Sequence, residues 1–162
     1  MNAEQKNFIE VVGAIASADM KNSGVAASLT TAQAILESAW GKSELTKTGN
    51  ALFGIKATKD WKGKTLTRKT TEYEDGKKVQ VEAEFRAYDT WEDSVKDHSA
   101  FLKKYKRYAK VIGETDYKEA CNAVAAAGYA SDPEYAKKLI ELIETYELYT
   151  YDTKNTNTDD LG

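Results

Sequence analysis

The sequence predicts an α+β fold, mostly helical, in which a body of helices carries one β-hairpin. Three observations lead there. Apolar residues recur at helical spacing before residue 41 and again after residue 89. From Trp61 to Tyr88 the period changes to two, with Val79, Val81, Ala83 and Phe85 alternating with Gln80, Glu82, Glu84 and Arg86. Finally, 162 residues at 41% hydrophobic content make one domain, long enough to bury roughly two-thirds of the surface its unfolded chain exposes.

The first helix is expected over residues 4–19, with Phe8, Val11, Val12, Ile15 and Ala16 as its apolar stripe and Lys21-Asn-Ser-Gly24 as its end. A second runs from Ser28 to Trp40 and breaks at Gly41; a short helical piece follows from Ser43. Asp75-Gly76 accepts the positive φ angles of a type I′ turn, so Glu74 faces Lys77, Leu66 faces Phe85, Lys69 faces Glu82 and Glu72 faces Val79. The next helix opens at Thr90, capped against Asp93, with the stripe Trp91, Val95, His98, Leu102 and Tyr105. His98, in that stripe, reads as a packed and hydrogen-bonded core residue. Lys103 to Lys110 is basic with interleaved aromatics, which reads as a solvated helix end, and secondly as an attraction to an acidic polymer. Asp116 caps a helix that stops at Gly128, and Asp132-Pro133 starts the last one. Residues 1–150 form the domain, and the polar stretch 151–162 reads as a linker.

One acidic side chain stands out. Glu37 lies in an otherwise small and apolar helical run, and helical spacing puts Gln33, Ala34 and Trp40 on its side, an indole one turn away. A carboxyl held against apolar surface resists ionisation and keeps a proton to donate. The hairpin register puts a second carboxyl, Glu72, on the face of Leu66, Val81, Ala83 and Phe85. A net charge of −3 gives no reason to expect nucleic acid. The lone Cys121 forms no internal disulfide and reads as a small buried hydrophobe. One histidine and one cysteine make a zinc site improbable. Met1-Asn-Ala-Glu-Gln-Lys lacks the basic-then-apolar order of a signal peptide, and no long apolar run suggests membrane insertion.

The string Ala34-Ile-Leu-Glu-Ser-Ala-Trp-Gly-Lys-Ser43, with Asn50-Ala-Leu-Phe-Gly-Ile-Lys56, resembles the signature of glycoside hydrolase family 73, the peptidoglycan N-acetylglucosaminidases. Phe85-Arg-Ala-Tyr88, Trp91-Glu-Asp-Ser94 and the run from Ala127-Gly-Tyr to Leu139 extend the match over about residues 5–150. Ala51 stands where the family usually has a second Asn, and Ser131 where it commonly has Thr.

The resemblance implies a lysozyme-like fold with the hairpin lobe across a substrate cleft. It implies endo-cleavage between GlcNAc and MurNAc, with Glu37 as catalytic acid, Glu72 as second carboxylate and Tyr129 beside them. Trp40, Asn50, Phe53, Tyr88 and Tyr135 are candidate groove residues, since sugar rings pack on aromatics and their polar groups need partners. The 2-acetamido group of the cleaved sugar can itself act as nucleophile, with Glu72 orienting it or activating water; alternatively Glu72 is the base of an inverting mechanism. Spacing does not choose between these. The expected partner is the peptidoglycan glycan strand, engaged by a monomer with no cofactor or metal. The expected place of action is the cell wall, reached as a phage lysin released through a holin-type pore or as a domain of a longer exported protein with a wall-binding module. A lytic transglycosylase, a muramidase or a non-catalytic wall-binding module are the alternatives.

Overall fold

In the computed structural model, which describes residues 1–153, a central helix is wrapped by others and the hairpin stands to one side. The elements in order are α1 (Ala3–Ser23), α2 (Ala27–Ser38), α3 (Glu44–Gly49), β1 (Thr65–Glu74), β2 (Lys77–Arg86), α4 (Trp91–Lys104), a 3-10 turn (Lys106–Tyr108), α5 (Tyr117–Ala126), α6 (Tyr135–Thr145) and α7 (Thr150–Thr153). The mostly helical α+β class expected from the sequence is what the chain adopts.

Helix α2 is the hub, packing on α1, α5, α6 and α7, and every residue from Ala27 to Ile35 is buried. Its hydroxyls tolerate this because they bond back along the helix, Thr31 to the Ala27 carbonyl at 2.8 Å and Ser38 to that of Ala34 at 2.6 Å. Helix α1 buries Phe8, Val12 and Ala16 as its stripe predicted, while Val11 is 40% exposed, at the stripe's edge. An Asn2–Gln5 capping box starts α1, and Gly24, at φ 76°, ends it.

Every hairpin pair expected from the Asp75-Gly76 turn is present. Val79, Val81 and Ala83 are half-buried and Phe85 is buried, whereas the Glu72 end of that face is exposed. The base of β2 is tied down by residues 55–57: Arg86 N–H donates to Ile55 O at 2.9 Å and Ala57 N–H to Glu84 O at 2.8 Å. Arg86 also reaches α4, placing its guanidinium 3.1 and 3.2 Å from the two Asp97 oxygens, while Tyr88 donates its hydroxyl to the same carboxylate at 2.5 Å. This pair is nearly buried, so removing either partner would leave a charge unmatched, at a cost of about 3–5 kcal/mol.

Thr90 caps α4 through Asp93 N–H as predicted, and Asp116 caps α5. Helix α6 begins two residues later than Asp132-Pro133 suggested. Asp132 accepts from Glu134 N–H at 2.9 Å and thereby closes a turn, and regular helix starts only at Tyr135. Helical structure continues past residue 150. Tyr151 and Asp152 lie in α7, and Asp152 accepts from Ser28 N–H at 2.8 Å and Ser28 Oγ at 2.6 Å. Ala26, the N-cap residue of α2, offers no side-chain bond, so Asp152 caps that helix from the far end of the chain. The rest of the expected linker, 154–162, lies outside the described residues. Among the described residues no helix is long and apolar enough to cross a membrane, and no cluster of His, Cys, Asp or Glu is placed to hold a metal ion.

Candidate active site

Glu37 occupies the last turn of α2, and the chain reverses immediately after it. Ser38 Oγ accepts from Gly41 N–H at 2.8 Å while still bonded to Ala34 O, and Ala39, Trp40 and Gly41 take φ of 51°, 62° and 81°. Left-handed backbone costs the two non-glycine residues of order 1 kcal/mol or more each, a strain that tends to gather at functional sites. The reversal also removes Trp40 from the position that helical spacing gave it. Its indole meets the edges of Phe8 and Tyr146, with centroids at 6.0 and 5.2 Å, and it does not line the cleft.

The cleft that Glu37 enters has a volume of about 580 Å³, and Phe53, Lys56, Phe101, Tyr105, Arg107, Tyr108 and Tyr129 are among its walls. Glu37 keeps an open face toward solvent there. The crowding walls nevertheless push its pKa above the ordinary carboxylate value by desolvation, and a hydrogen bond from Tyr135 partly offsets this. Its apolar surroundings are thus the cleft's aromatics rather than the indole of Trp40.

Behind the carboxyl runs a buried chain of hydrogen bonds. Tyr135, 2% exposed, donates its hydroxyl to Glu37 Oε2 at 2.9 Å and accepts from Gln33 Nε2 at 2.9 Å. With its amide nitrogen so committed, Gln33 offers Oε1 to His98 Nε2 at 2.9 Å, and that fixes the proton on Nε2. His98 is fully buried, stacks on Phe53 at 4.0 Å, and has its pKa pushed down to about 3 by burial, so it stays neutral. Every donor points toward Glu37. Since Tyr135 donates to Oε2, a proton carried by Glu37 would sit on Oε1, the oxygen without a protein partner among the described residues.

Tyr129 lies on the connector after α5, made possible by Gly128 at φ 84°. Its ring stacks on Tyr135 at 5.9 Å and 11°, and edges contact His98, Phe101 and Tyr108. Burial, then the charge of Glu37, raises its pKa, so the hydroxyl stays protonated. Phe53 lines the cleft but is 4% exposed, so little of its ring is free to meet a ligand. Glu72 does not line the cleft. It is linked to it by Lys56, whose ammonium lies 3.5 Å from the Glu72 carboxylate and whose side chain is part of the wall.

Two further groove candidates are placed elsewhere. Asn50 takes φ 52° at the end of α3 and donates Nδ2 to the Tyr88 and Asp89 carbonyls at 3.1 Å each, which fastens the β2–α4 connection. Tyr88 is committed to Asp97 and packs against Trp61 at 5.7 Å. Cys121 is buried, with its thiol pushed up to about 12 by desolvation, so it is no nucleophile at ordinary pH. Sequence reasoning missed the Gln33–His98 link behind Tyr135 and Glu37, and missed Tyr105, Arg107 and Tyr108 as cleft wall. The aromatics interleaved through 103–110 were the available signal for the latter.

A family model described as "Mannosyl-glycoprotein endo-beta-N-acetylglucosaminidase" matches residues 13–148. The exo-glucosaminidase LytG of Bacillus subtilis is 40% identical over 157 residues, spanning 94% of this chain and 55% of the relative. The peptidoglycan hydrolase FlgJ of Salmonella typhimurium is 36% identical over 148 residues, 89% of this chain and 47% of the relative. The chain therefore spans about half the length of the curated relatives it matches. Among solved structures, the catalytic domain of the Listeria monocytogenes autolysin Auto superposes with a TM-score of 0.85 at 34% identity, covering 94% of this chain and 89% of that one. With a match over most of its length and the same fold as an autolysin catalytic domain, the chain belongs to the glucosaminidase family, glycoside hydrolase family 73.

Proposed function

We propose that the chain is a peptidoglycan hydrolase that cuts the glycan strand internally at the β-1,4 bond between N-acetylglucosamine and N-acetylmuramic acid, with Glu37 as general acid. The observation that carries this reading is the Glu37 carboxyl itself. It opens into an aromatic-walled cleft, has its pKa raised by desolvation, and is oriented through Oε2 by Tyr135. The proton on Oε1 passes to the leaving glycosidic oxygen as the bond breaks. Tyr135 then donates to a carboxylate rather than a carboxylic acid, and the bond strengthens as charge develops.

The electron-poor anomeric carbon needs a second stabiliser. We assign this to the substrate's own 2-acetamido oxygen, oriented by the Tyr129 hydroxyl, which makes no hydrogen bond among the described residues, and keep Glu72 as the second carboxylate, beside the cleft rather than in it. Glu72 acts from the hairpin, with Lys56 linking it to the cleft wall. FlgJ is named as a peptidoglycan hydrolase and LytG as an exo-glucosaminidase, which supports the substrate class.

The test is mass spectrometry of digested peptidoglycan with and without borohydride reduction. Fragments ending in reducible GlcNAc, lost in Glu37→Gln, are expected. Reducible MurNAc ends would make the chain a muramidase, anhydro-MurNAc ends a transglycosylase, and wall binding without release a non-catalytic module. Early products of mixed length indicate internal cleavage, whereas disaccharides alone indicate attack from chain ends.

A further inference from the structure

Arg107 lies on the wall of the cleft that holds Glu37. Its guanidinium carbon is 5.0 Å from the ring centroid of Tyr105 and 4.9 Å from that of Tyr108, so two aromatic rings flank the cation. Tyr108 is 1% exposed, which makes this platform part of the core rather than a loose surface contact. Most neighbouring cations are spoken for: Lys56 faces Glu72, Lys104 faces Asp60 and Arg86 faces Asp97. Arg107 has no acidic partner among the described residues. In a chain of net charge −3, the cleft wall carries Lys56 and Arg107 against a single carboxyl, Glu37.

An oriented and unpaired guanidinium presents a planar fork of donors that fits a carboxylate or phosphate. In peptidoglycan the sugar hydroxyls and acetamido groups are uncharged. The anions attached to the strand next to the scissile bond are the free carboxylates of the peptide stem on MurNAc. We propose that Arg107 forms a subsite for a stem-peptide carboxylate, so that the cleft selects glycan that carries its peptide. This rests on the reading of the Glu37 cleft as the glycan-cleaving site.

The test compares wild type, Arg107→Gln and Arg107→Lys on purified peptidoglycan whose stem carboxylates are either free or converted to amides. Hydrofluoric acid first strips phosphodiester-linked polymers from both substrates. Wild type should prefer the free-carboxylate substrate by about tenfold in kcat/KM, the scale of one charge-assisted contact near the surface. In Arg107→Gln that ratio should fall to near one, and Arg107→Lys, with the charge but not the fork, should keep part of it. Because Arg107 is exposed, its variants should melt with wild type. Equal losses on both substrates would show a structural role and overturn the subsite. An Arg107 effect that appears only on walls not treated with acid would assign the anion to phosphate and overturn the stem. Wild type inert on both substrates would instead remove the glycan-cleaving reading beneath it.

Discussion

Replacing Tyr135 with Phe removes one hydroxyl from the centre of the site and leaves the ring in place. That hydroxyl donates to Glu37 Oε2 and accepts from Gln33, each at 2.9 Å. While Glu37 is protonated, the bond to it is an ordinary neutral one, worth ~1 kcal/mol; once the proton has left, it is charge-assisted and worth ~1.5–3 kcal/mol. Only the difference, about 0.5–2 kcal/mol, is expressed in the barrier, so kcat should fall about 2- to 30-fold. The same hydroxyl lowers the pKa of Glu37, so its removal lets that pKa rise. An acid works while protonated, so the alkaline limb of the pH–rate profile should move to higher pH even as the plateau drops. The variant also strands the Gln33 amide in the core, which should cost about 1–3 kcal/mol and lower the melting temperature by ~2–4 °C per kcal/mol. Initial rates of wall solubilisation across pH, with thermal melts beside them, measure all three. A plateau unchanged within twofold, or an alkaline limb that moves down, would refute the orientation of Glu37 by Tyr135.

Glu37→Gln should stabilise the protein at neutral pH while abolishing turnover. With the folded-state pKa raised above the unfolded value, the folded protein binds the proton more tightly, so stability falls as pH rises from the unfolded toward the folded pKa. Melts of variant and wild type should therefore coincide at acidic pH and separate above it, the variant higher. Glu72→Gln should slow turnover by about 10²–10⁴-fold if it serves as a positioned carboxylate, whereas Glu74→Gln, paired with Lys77 at the exposed turn, should lose little. Equal and mild losses in the same turbidity assay would leave the hairpin without a catalytic carboxylate. Asp152→Ala should cost about 0.5–2 kcal/mol through loss of the α2 cap, read as a lowered melting temperature. No change there would mean that water caps the helix as well.

The fold was legible in the sequence because most of it is local. The Asp75-Gly76 turn dictates the hairpin pairing residue by residue, and Thr90 and Asp116 announce their helices with the side chains that cap them. What was illegible depends on backbone reversal or on distant partners. Trp40 belonged beside Glu37 only while the helix continued; three left-handed residues from Ala39 to Gly41 send it to Phe8 and Tyr146. Asn50 and Tyr88 look like groove residues by type, but one holds a loop and the other a half-buried carboxylate. The site's support was the least visible part. Nothing in the local pattern joins Gln33 to His98, 65 positions away, or to Tyr135, 102 positions away, because that chain exists only once α2, α4 and α6 have packed.

The bond from Asp152 to Ser28 has a mechanical meaning. Helix α2 is gripped at both ends: its first turn is hooked by the end of the described chain, and its last turn presents Glu37 to the cleft. A pull on α7 is therefore not taken up by slack chain. It is delivered through Asp152 to the far end of the helix that bears Glu37, so that helix is a strut between α7 and the cleft.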